Sequence, residues 1–456
     1  MERFADRGRL SLAMTDDRGP DRTFPSLVSI AVLVDLMWRP DAGGHVKCWE
    51  RLAEAAVRHP ADLDLTVHFE AERDGRRELA PNVRYILHRP ILSTSHLPFL
   101  SHVPDHTDLA PSQPRLKRHL GGCAVIHTTD AYFAFAGTAE RLVARYGLPL
   151  VHSVHTDTPG YTRIFTAEIV ERLAGSGLLG RWLNQRLDLP GKAERSMLDR
   201  LARHQSLCRF VLASRPADLQ RASAIVGDRR VRRLRRGVDH GRFAPQWRDR
   251  HRLRRRLGVP FDAAVVLFVG RMNRGKNILA LAEAVRQLVE YGLPVHLLCI
   301  GDGEDRERVA SLLGPAATCP GTMAQQDLAW VYASADIFAL PSLIEIHSNV
   351  VQEALCSGLP AVISADTGLQ ALFGARGNGV LVAGTDAASW AETLRPLVVD
   401  RSSAAAMGRA GRQFAEAHLP SWDDVLVEDL LPVWREAAAT APATAQPSPP
   451  CRHRAS

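Results

Sequence analysis

Lysine is nearly missing from this chain: of 57 basic residues only four are Lys, namely Lys47, Lys117, Lys192 and Lys276. A Lys falls on any given position by chance about once in a hundred residues, so one standing in a chemically suggestive place carries weight. Long apolar runs are missing too. The longest, Ala263 to Val269, has the length of one buried strand and falls well short of the roughly 18 residues that a membrane-spanning helix needs. The seven cysteines are scattered without a C-x-x-C pair, which argues against a zinc site or a disulfide framework and for reduced, packing thiols. The first residues, MERFADRGRLSLAMTDDRGPDR, have no apolar core of the kind a secretory signal carries, so the expected location is the cytosol. No internal repeat is visible. Aromatic residues are only 6% of the chain, but 46% hydrophobic and 23% charged residues are ordinary for a globular protein.

What is present is enough chain, 456 residues, for two domains, and a net charge of +7. That charge is local. Between Asp228 and Arg256 stand thirteen Arg against three Asp, a surplus of +10, which leaves −3 for the rest. A nucleic-acid role does not follow, because the segment lacks interleaved aromatics and any recognition motif. Two readings stay open for Arg229 to Arg256: attraction to an anionic membrane surface, at about 1 kcal/mol per basic residue near the surface, or a solvated Arg face.

Hydrophobic patterning gives the architecture. Ser26 to Trp38 reads as a buried strand, followed by a Pro/Asp/Gly turn and a helical pattern over Val46 to Arg58. Further strand-like runs cover Leu63 to Phe69, Val83 to Leu87, Ala124 to His127 and Leu148 to Val154, alternating in part with helix-like stretches such as Thr138 to Tyr146. The pattern restarts near Phe210 to Ser214. Val265 to Val269, Val295 to Ile300, Ile337 to Leu340 and Ala361 to Ser364 each precede a turn and a helical stretch. This is the α/β class, with two doubly wound parallel-sheet (Rossmann-like) domains, and ligands of such sheets bind outside the carboxyl ends of the strands. The expected site is the cleft where the two domains face each other.

Two polar clusters follow directly on strands. After VVLFV comes GRMNRGKN, in which Arg271 and Lys276 share a strand-to-helix turn with Gly270 and Gly275; two permanent cations on a closely approachable backbone suit a diphosphate. After IFAL comes PSLIEIHSNVVQEALCSGLP, with Glu345 in the loop and Glu353 one turn or more into a helix that starts near Ser348 or Asn349. Free N–H groups at that start can meet a phosphate, Glu345 can accept from sugar hydroxyls, and Glu353 can hold both hydroxyls of a ribose.

Together these blocks resemble the nucleotide-sugar domain of the retaining family 4 (group 1) glycosyltransferases, of GT-B fold. The spacing Arg271–Lys276 and Glu345–Glu353 is kept, and so are Gly237-Val238-Asp239, Gly301-Asp302-Gly303, Ala335-Asp336, Pro341-Ser342 and Asn378-Gly379. The chain departs from the pattern at His347-Ser348, where the family has Phe-Gly. In the first half Gly43-Gly44 resembles the family's Gly-rich loop, and His155, in VHSVHTDTPGY, resembles the histidine that faces the reacting sugar; His127 is a weaker candidate for the same neighbourhood.

The resemblance implies a nucleotide-sugar-dependent hexosyltransferase. His155, Arg271, Lys276 and Glu345 would be catalytic. Gly43, Gly44, Arg271, Lys276, His347, Ser348, Asn349 and Glu353 would bind the donor, a UDP- or GDP-sugar, and Asp157 and Tyr161 would line the acceptor side. No metal or other cofactor is expected, since two cations and a helix end offset the leaving charge. The acceptor stays open among lipid, polysaccharide and small molecule, although H-T-D-x-P-x-Y and S-N-V-V-x-E-A resemble stretches of lipid glycosylating members. A nucleotide-sugar-binding pseudo-enzyme and a GT-B epimerase or phosphorylase are the alternatives. The implied division is a polar extension (1–24), an acceptor-side domain (25–212), a nucleotide-sugar domain (213–420), a helix crossing back to the first domain (421–437) and a disordered tail (438–456).

Overall fold

The computed structural model describes residues 27–440, apart from 40–41, 95–106, 176, 178–180, 344, 346–347, 368 and 374–376. The extension 1–24 and most of the tail 438–456 thus lie outside the described residues. The apolar runs form two sheets. The first contains β1 (Val28–Met37), β2 (Leu63–Glu70), β3 (Gly75–Ala80), β4 (Val83–His88), β5 (Val125–Thr128), β6 (Leu150–Ser153), β7 (Phe210–Ala213) and β8 (Val231–Arg233), in the spatial order β3-β4-β2-β1-β5-β6-β7-β8. All neighbours are parallel except β3, which runs antiparallel to β4. The second contains β9 (Ala264–Val269), β10 (Val295–Ile300), β11 (Ala317–Gly321), β12 (Ile337–Leu340), β13 (Ala361–Ser364) and β14 (Gly379–Val382), ordered β11-β10-β9-β12-β13-β14 and wholly parallel. Helices cover both faces of the central strands, which is why β9 reads as an unbroken apolar run rather than an alternating one.

The first sheet does not end at the expected boundary near 212. β8 pairs with β7 through Val211↔Val231 and Ala213↔Arg233, so residues 213–233 belong to the first domain. An edge strand written Val-Arg-Arg carries little apolar signal; Arg232 lies over the Phe210 ring at 5.0 Å instead of presenting a hydrophobic face. The hairpin strand β3, GRRELA, was likewise invisible to apolar patterning, and its charged, exposed side chains suit an unpaired edge.

The C-terminal segment returns to the first domain. Trp422, Val425, Leu426, Leu430, Val433 and Trp434 are buried in the core formed with β1, β2 and the helix Gly44–Ala56. Ser421 and Asp424 make a reciprocal capping box at its start. It is not one continuous α-helix: Trp422–Asp424 leads into a π-helical stretch Val425–Leu430, then α-helix Leu431–Ala439. Pro432, which has no N–H, interrupts the i→i−4 ladder there.

Where this segment meets the second domain, Val238 N–H donates to Pro420 O at 3.0 Å, and Gly237 packs against Trp422. A Cβ on Gly237 would sit 2.7 Å from Trp422 Cα and 2.8 Å from its backbone N. Backbone cannot swing aside as a side chain can. Gly237→Ala is therefore expected to destabilise the protein by about 1–3 kcal/mol, measured by denaturant unfolding, whereas Gly121→Ala, at φ −68° with nothing within 4 Å of the added Cβ, should cost clearly less.

Candidate active site

Both sheets reverse their strand order beside the central strand. The chain leaves β9 toward β10 and later returns to β12 on the other side of β9, so the turns after β9 and β12 flank one crevice at the carboxyl ends of the strands. The turn after β9 rests on the turn after β10. Met272 N–H donates to Asp302 O at 2.8 Å, and a Cβ on Gly301 would lie 1.9 Å from Gly270 O. Only glycine fits there, which explains the Gly301-Asp302-Gly303 string as support for the turn that carries Arg271.

Within this crevice Lys276 Nζ pairs with the Glu345 carboxylate. Ser342 Oγ donates to the same Glu345 oxygen at 3.0 Å, and Leu343 N–H donates to Gly275 O at 3.0 Å, so the two turns are laced together. Asn273 accepts from Lys276 N–H at 3.1 Å and sets the turn. Arg271 is half-buried in the same turn. Next to them the helix Asn349–Cys356 begins at Ser348, whose buried hydroxyl has no partner among the described residues and does not cap the helix. His347 lies outside the described residues.

The opposite wall comes from the first domain. Gly43 stands at the N-cap of the helix Gly44–Ala56, and a Cβ on Gly44 would be 3.7 Å from Asn349 Nδ2. His155, just beyond β6, is buried and stacks on His45 with ring centroids 4.5 Å apart. Its Nε2 contacts Ser153 Oγ at 2.7 Å; Ser153 Oγ also contacts His127 Nε2 at 2.8 Å, and Trp434 Nε1 donates to His127 Nδ1 at 2.9 Å. At the other end Arg236 Nη1 lies 3.3 Å from His155 Nδ1. An indole and a guanidinium can only donate, so each imidazole accepts at Nδ1 and carries its proton at Nε2, and Ser153 accepts from both. Neither ring is free to take a proton at Nδ1. Burial also pushes His127 down to about 3, and burial followed by the Arg236 charge takes His45 to about 3.

Arg236 was not anticipated as a site residue. It lies inside the Arg-rich segment, where composition hides it; the signal that could have found it is its position directly before Gly237-Val238-Asp239. Its Nε donates to Asn349 Oδ1 at 2.7 Å and its Nη2 to Gly44 O at 2.7 Å, and it lies over the Trp422 ring at 5.7 Å. One side chain thus joins both walls of the cleft.

Glu353 is buried deeper in the same crevice, beside Gln325 Nε2 at 3.5 Å and the Tyr332 hydroxyl, and it lines a small cavity with Arg51, Gly237, Arg242, Asn349 and Trp422. Burial raises its carboxyl to about 7, only partly opposed by the neighbouring Tyr332 hydroxyl and Gln325 amide. On the first domain Asp157 caps the helix Thr158–Ala174 through Gly160 N–H at 3.1 Å and faces Arg215 at 3.4 Å, while Tyr161 stacks with Phe165. Nothing in this geometry ties Asp157 or Tyr161 to the Lys276–Glu345 pair. No group of three or more His, Cys, Asp or Glu side chains among the described residues is arranged to hold a metal ion.

The family model for glycosyl transferases group 1 matches residues 263–400, the part of the chain that holds Arg271, Lys276, Glu345 and Glu353. The second domain is thus similar to the group 1 glycosyltransferases. Curated relatives include a D-inositol 3-phosphate glycosyltransferase of Corynebacterium jeikeium, 32% identical over 232 residues (48% of this chain, 52% of the relative). A GDP-mannose-dependent alpha-mannosyltransferase of Mycobacterium tuberculosis is 34% identical over 224 residues (49% and 50%). The chain spans about half the length of the curated relatives it matches. Over the whole fold it resembles a sucrose-phosphate synthase from Thermosynechococcus elongatus, with TM-score 0.67 at 20% identity over 90% of this chain and 99% of the other. WaaG, a glycosyltransferase involved in lipopolysaccharide biosynthesis, gives 0.58 at 18% identity over 91% and 100%. The fold is GT-B.

The basic segment, which precedes the matched residues, is largely taken up by contacts within the protein. Arg232, Arg235, Arg242, Arg248, Arg250 and Arg252 each pair with a carboxylate, the last three with Asp336 or Asp327 of the second domain. Asp336 also accepts from Val265 N–H at 2.9 Å, so the Ala335-Asp336 landmark holds a strand end. The exposed remainder centres on Arg254, Arg255 and Arg256, in the last turn of the helix Arg250–Leu257, where cations favour the helix dipole. The surface reading shrinks to these side chains with Arg229 and Arg233. No helix among the described residues is long and apolar enough to cross a membrane.

The Glu353 carboxyl has a thermodynamic consequence. Its ordinary value is 4.5, so between pH 4.5 and about 7 the folded chain holds a proton that the unfolded chain has released. This stabilisation is complete below 4.5 and is lost as pH rises through 7. Glu353→Gln stays neutral, so its stability relative to wild type is expected to rise from pH 5 to pH 8, read by denaturant melts across that range; a pH-independent difference would contradict the raised value.

Proposed function

We propose that this chain transfers a sugar from a UDP- or GDP-sugar to an acceptor hydroxyl with retention of anomeric configuration. The observation that carries the reading is the meeting of the Lys276–Glu345 pair with the start of the helix Asn349–Cys356, opposite Gly43, Gly44 and His155. As the bond from the sugar's anomeric carbon to the diphosphate breaks, negative charge builds on the leaving oxygens. Arg271, Lys276 and the N–H groups at the helix start offset that charge in a water-poor cleft. Lys276 has three N–H bonds and gives one direction to Glu345, leaving others for phosphate. Glu345, held by Lys276 and Ser342, orients the sugar. Glu353 accepts from the ribose hydroxyls, and doing so as a carboxylate is easier above pH 7.

His155 supplies a neutral ring beside the reacting sugar. The acceptor hydroxyl attacks from the face the diphosphate leaves, its proton passing to the leaving oxygen, so no protein nucleophile is needed. In this reading the reaction requires no metal. The acceptor sits along the carboxyl ends of the first sheet near Asp157 and Tyr161, and is a lipid, polysaccharide or small molecule. The name of one relative, a D-inositol 3-phosphate glycosyltransferase, supports a polyol hydroxyl as the receiving group, and that of another, a GDP-mannose-dependent alpha-mannosyltransferase, supports a GDP-sugar as donor. A cytoplasmic protein, held peripherally at an anionic inner membrane face through the Arg254–Arg256 turn, completes the proposal; co-sedimentation with anionic vesicles tests that part.

The test is a product screen of UDP- and GDP-sugars against lipid, polysaccharide and polyol acceptors, with the anomeric configuration of the product read by NMR. Lys276→Ala is expected to lower kcat about a hundred- to thousandfold, and Glu345→Ala to lower turnover on any accepted donor. Equal turnover in Glu345→Ala would remove the site assignment. Donor binding by calorimetry with no product from any acceptor would instead assign a nucleotide-sugar-binding pseudo-enzyme, and turnover without acceptor or with inorganic phosphate would assign an epimerase or a phosphorylase.

A further inference from the structure

Arg236 is a buried cation without a counter-ion among the described residues. Only 9% of it is exposed, yet every polar partner it has among the described residues is neutral: Gly44 O, Asn349 Oδ1 and His155 Nδ1. Its neighbours in sequence behave differently, Arg235 pairing with Glu428 and Asp429 and Arg232 with Glu436. The nearest acid in sequence, Asp239, turns to Arg242. A buried charge in a protein is normally paired, because neutral acceptors replace only part of the hydration it has lost. In an Arg-rich chain that pairs so many of its guanidinium groups, leaving this one uncompensated in the cleft calls for an anion from outside.

The hydrogen-bond inventory points the same way. A guanidinium carries five N–H bonds, and three are used here, one each on Nε, Nη1 and Nη2. One N–H on each terminal nitrogen is left, a fork of the shape that takes two oxygens of a phosphate. Beside it the helix Asn349–Cys356 offers its own first N–H groups, Asn349 being at once the first helical residue and the Arg236 partner. Ser348 Oγ, in a residue only 6% exposed, has no partner among the described residues and adds a hydroxyl.

We infer that Arg236 is a ligand of the donor's diphosphate, a third cation beside Arg271 and Lys276, contributed from the segment that joins the two domains. The inference rests on the proposed nucleotide-sugar reading for the identity of the anion, and on the geometry above for its existence. Because Arg236 also holds Gly44 of the first domain and Asn349 of the second, an anion bound to it draws on both walls at once. Diphosphate binding and cleft closure are then one event, and water is excluded as the donor is seated.

Inorganic pyrophosphate tests the anion site without the nucleotide. By calorimetry, wild type is expected to bind pyrophosphate, UDP and GDP, and Arg236→Gln to bind each at least tenfold more weakly, in line with the loss of a charge-assisted hydrogen bond. Arg236→Lys, which keeps the charge, should recover part of that loss, while uridine and guanosine, which carry no phosphate, should bind all three proteins within about twofold. Thermal melts without ligand report whether each variant is folded. Hydrogen exchange on the wild-type chain gives a measurement free of substitution: pyrophosphate should protect the amides around Leu234–Val238 and Gly43–Lys47 together. Unchanged pyrophosphate affinity in Arg236→Gln, or no protection at both segments in wild type, overturns the inference. Wild type that binds pyrophosphate through Arg236 but no nucleoside diphosphate would keep the anion site and discard the nucleotide-sugar reading.

Discussion

The Arg236 guanidinium is the interaction on which the cleft depends. It stands between Gly44 at the start of one helix and Asn349 at the start of another, touches His155 beyond β6, and lies over Trp422 where the C-terminal segment crosses back. Elements far apart in sequence therefore share one cation. Since that cation donates and never accepts, it also bears on its neighbours: His155 must accept at Nδ1, and His45, held neutral first by burial, meets a positive charge that adds to the effect. The chain places this side chain one residue before Gly237, whose missing Cβ lets Trp422 come close enough to form the third side of the arrangement.

Burial gives the rest of the cleft its electrostatic character. Histidines that lose water are pushed down and carboxyls that lose water are pushed up, so both become uncharged near neutrality. His45 and His127 fall to about 3, while Glu353 rises to about 7. Below the first domain's wall, Asp35 is raised well above its ordinary range by burial and by the adjacent Glu70, which itself rises to about 7. Asp35 Oδ1 and Glu70 Oε2 have no donor among the described residues. Burial thus lowers the negative charge of the walls, Glu353 and Glu70 still titrating near neutral pH. Glu345, whose side chain is largely buried in the crevice, is already matched by Lys276.

How much of this could be read from the sequence depends on whether the physics is local. The turn Gly270–Lys276 and the loop and helix start around Glu345 and Asn349 were legible because a strand, a glycine-containing turn and a helix cap each leave a signal within a few residues. The rarity of Lys made Lys276 stand out in the same way. His155 was visible through its strand-end position, but its fixed tautomer was not, since that depends on Arg236, far away in the chain. The boundary near 212 was misplaced because an Arg-rich edge strand has no apolar pattern to betray it. The basic segment looked like one surface feature because sequence shows charges but not partners; Asp336, Asp327, Asp429 and Glu436, all distant in sequence, take up much of it.

The sequence by itself determined the α/β class, the two-domain plan, the turns after β9 and β12 and the residue types they present, since periodicity, glycine and helix caps act over short stretches of chain. Only the tertiary structure decided which charges remain unmatched. Pairing is a matter of distance in space, and it left Lys276 joined to Glu345 while Arg236, hidden in a segment with thirteen arginines, stands buried with no counter-ion among the described residues where the two domains meet.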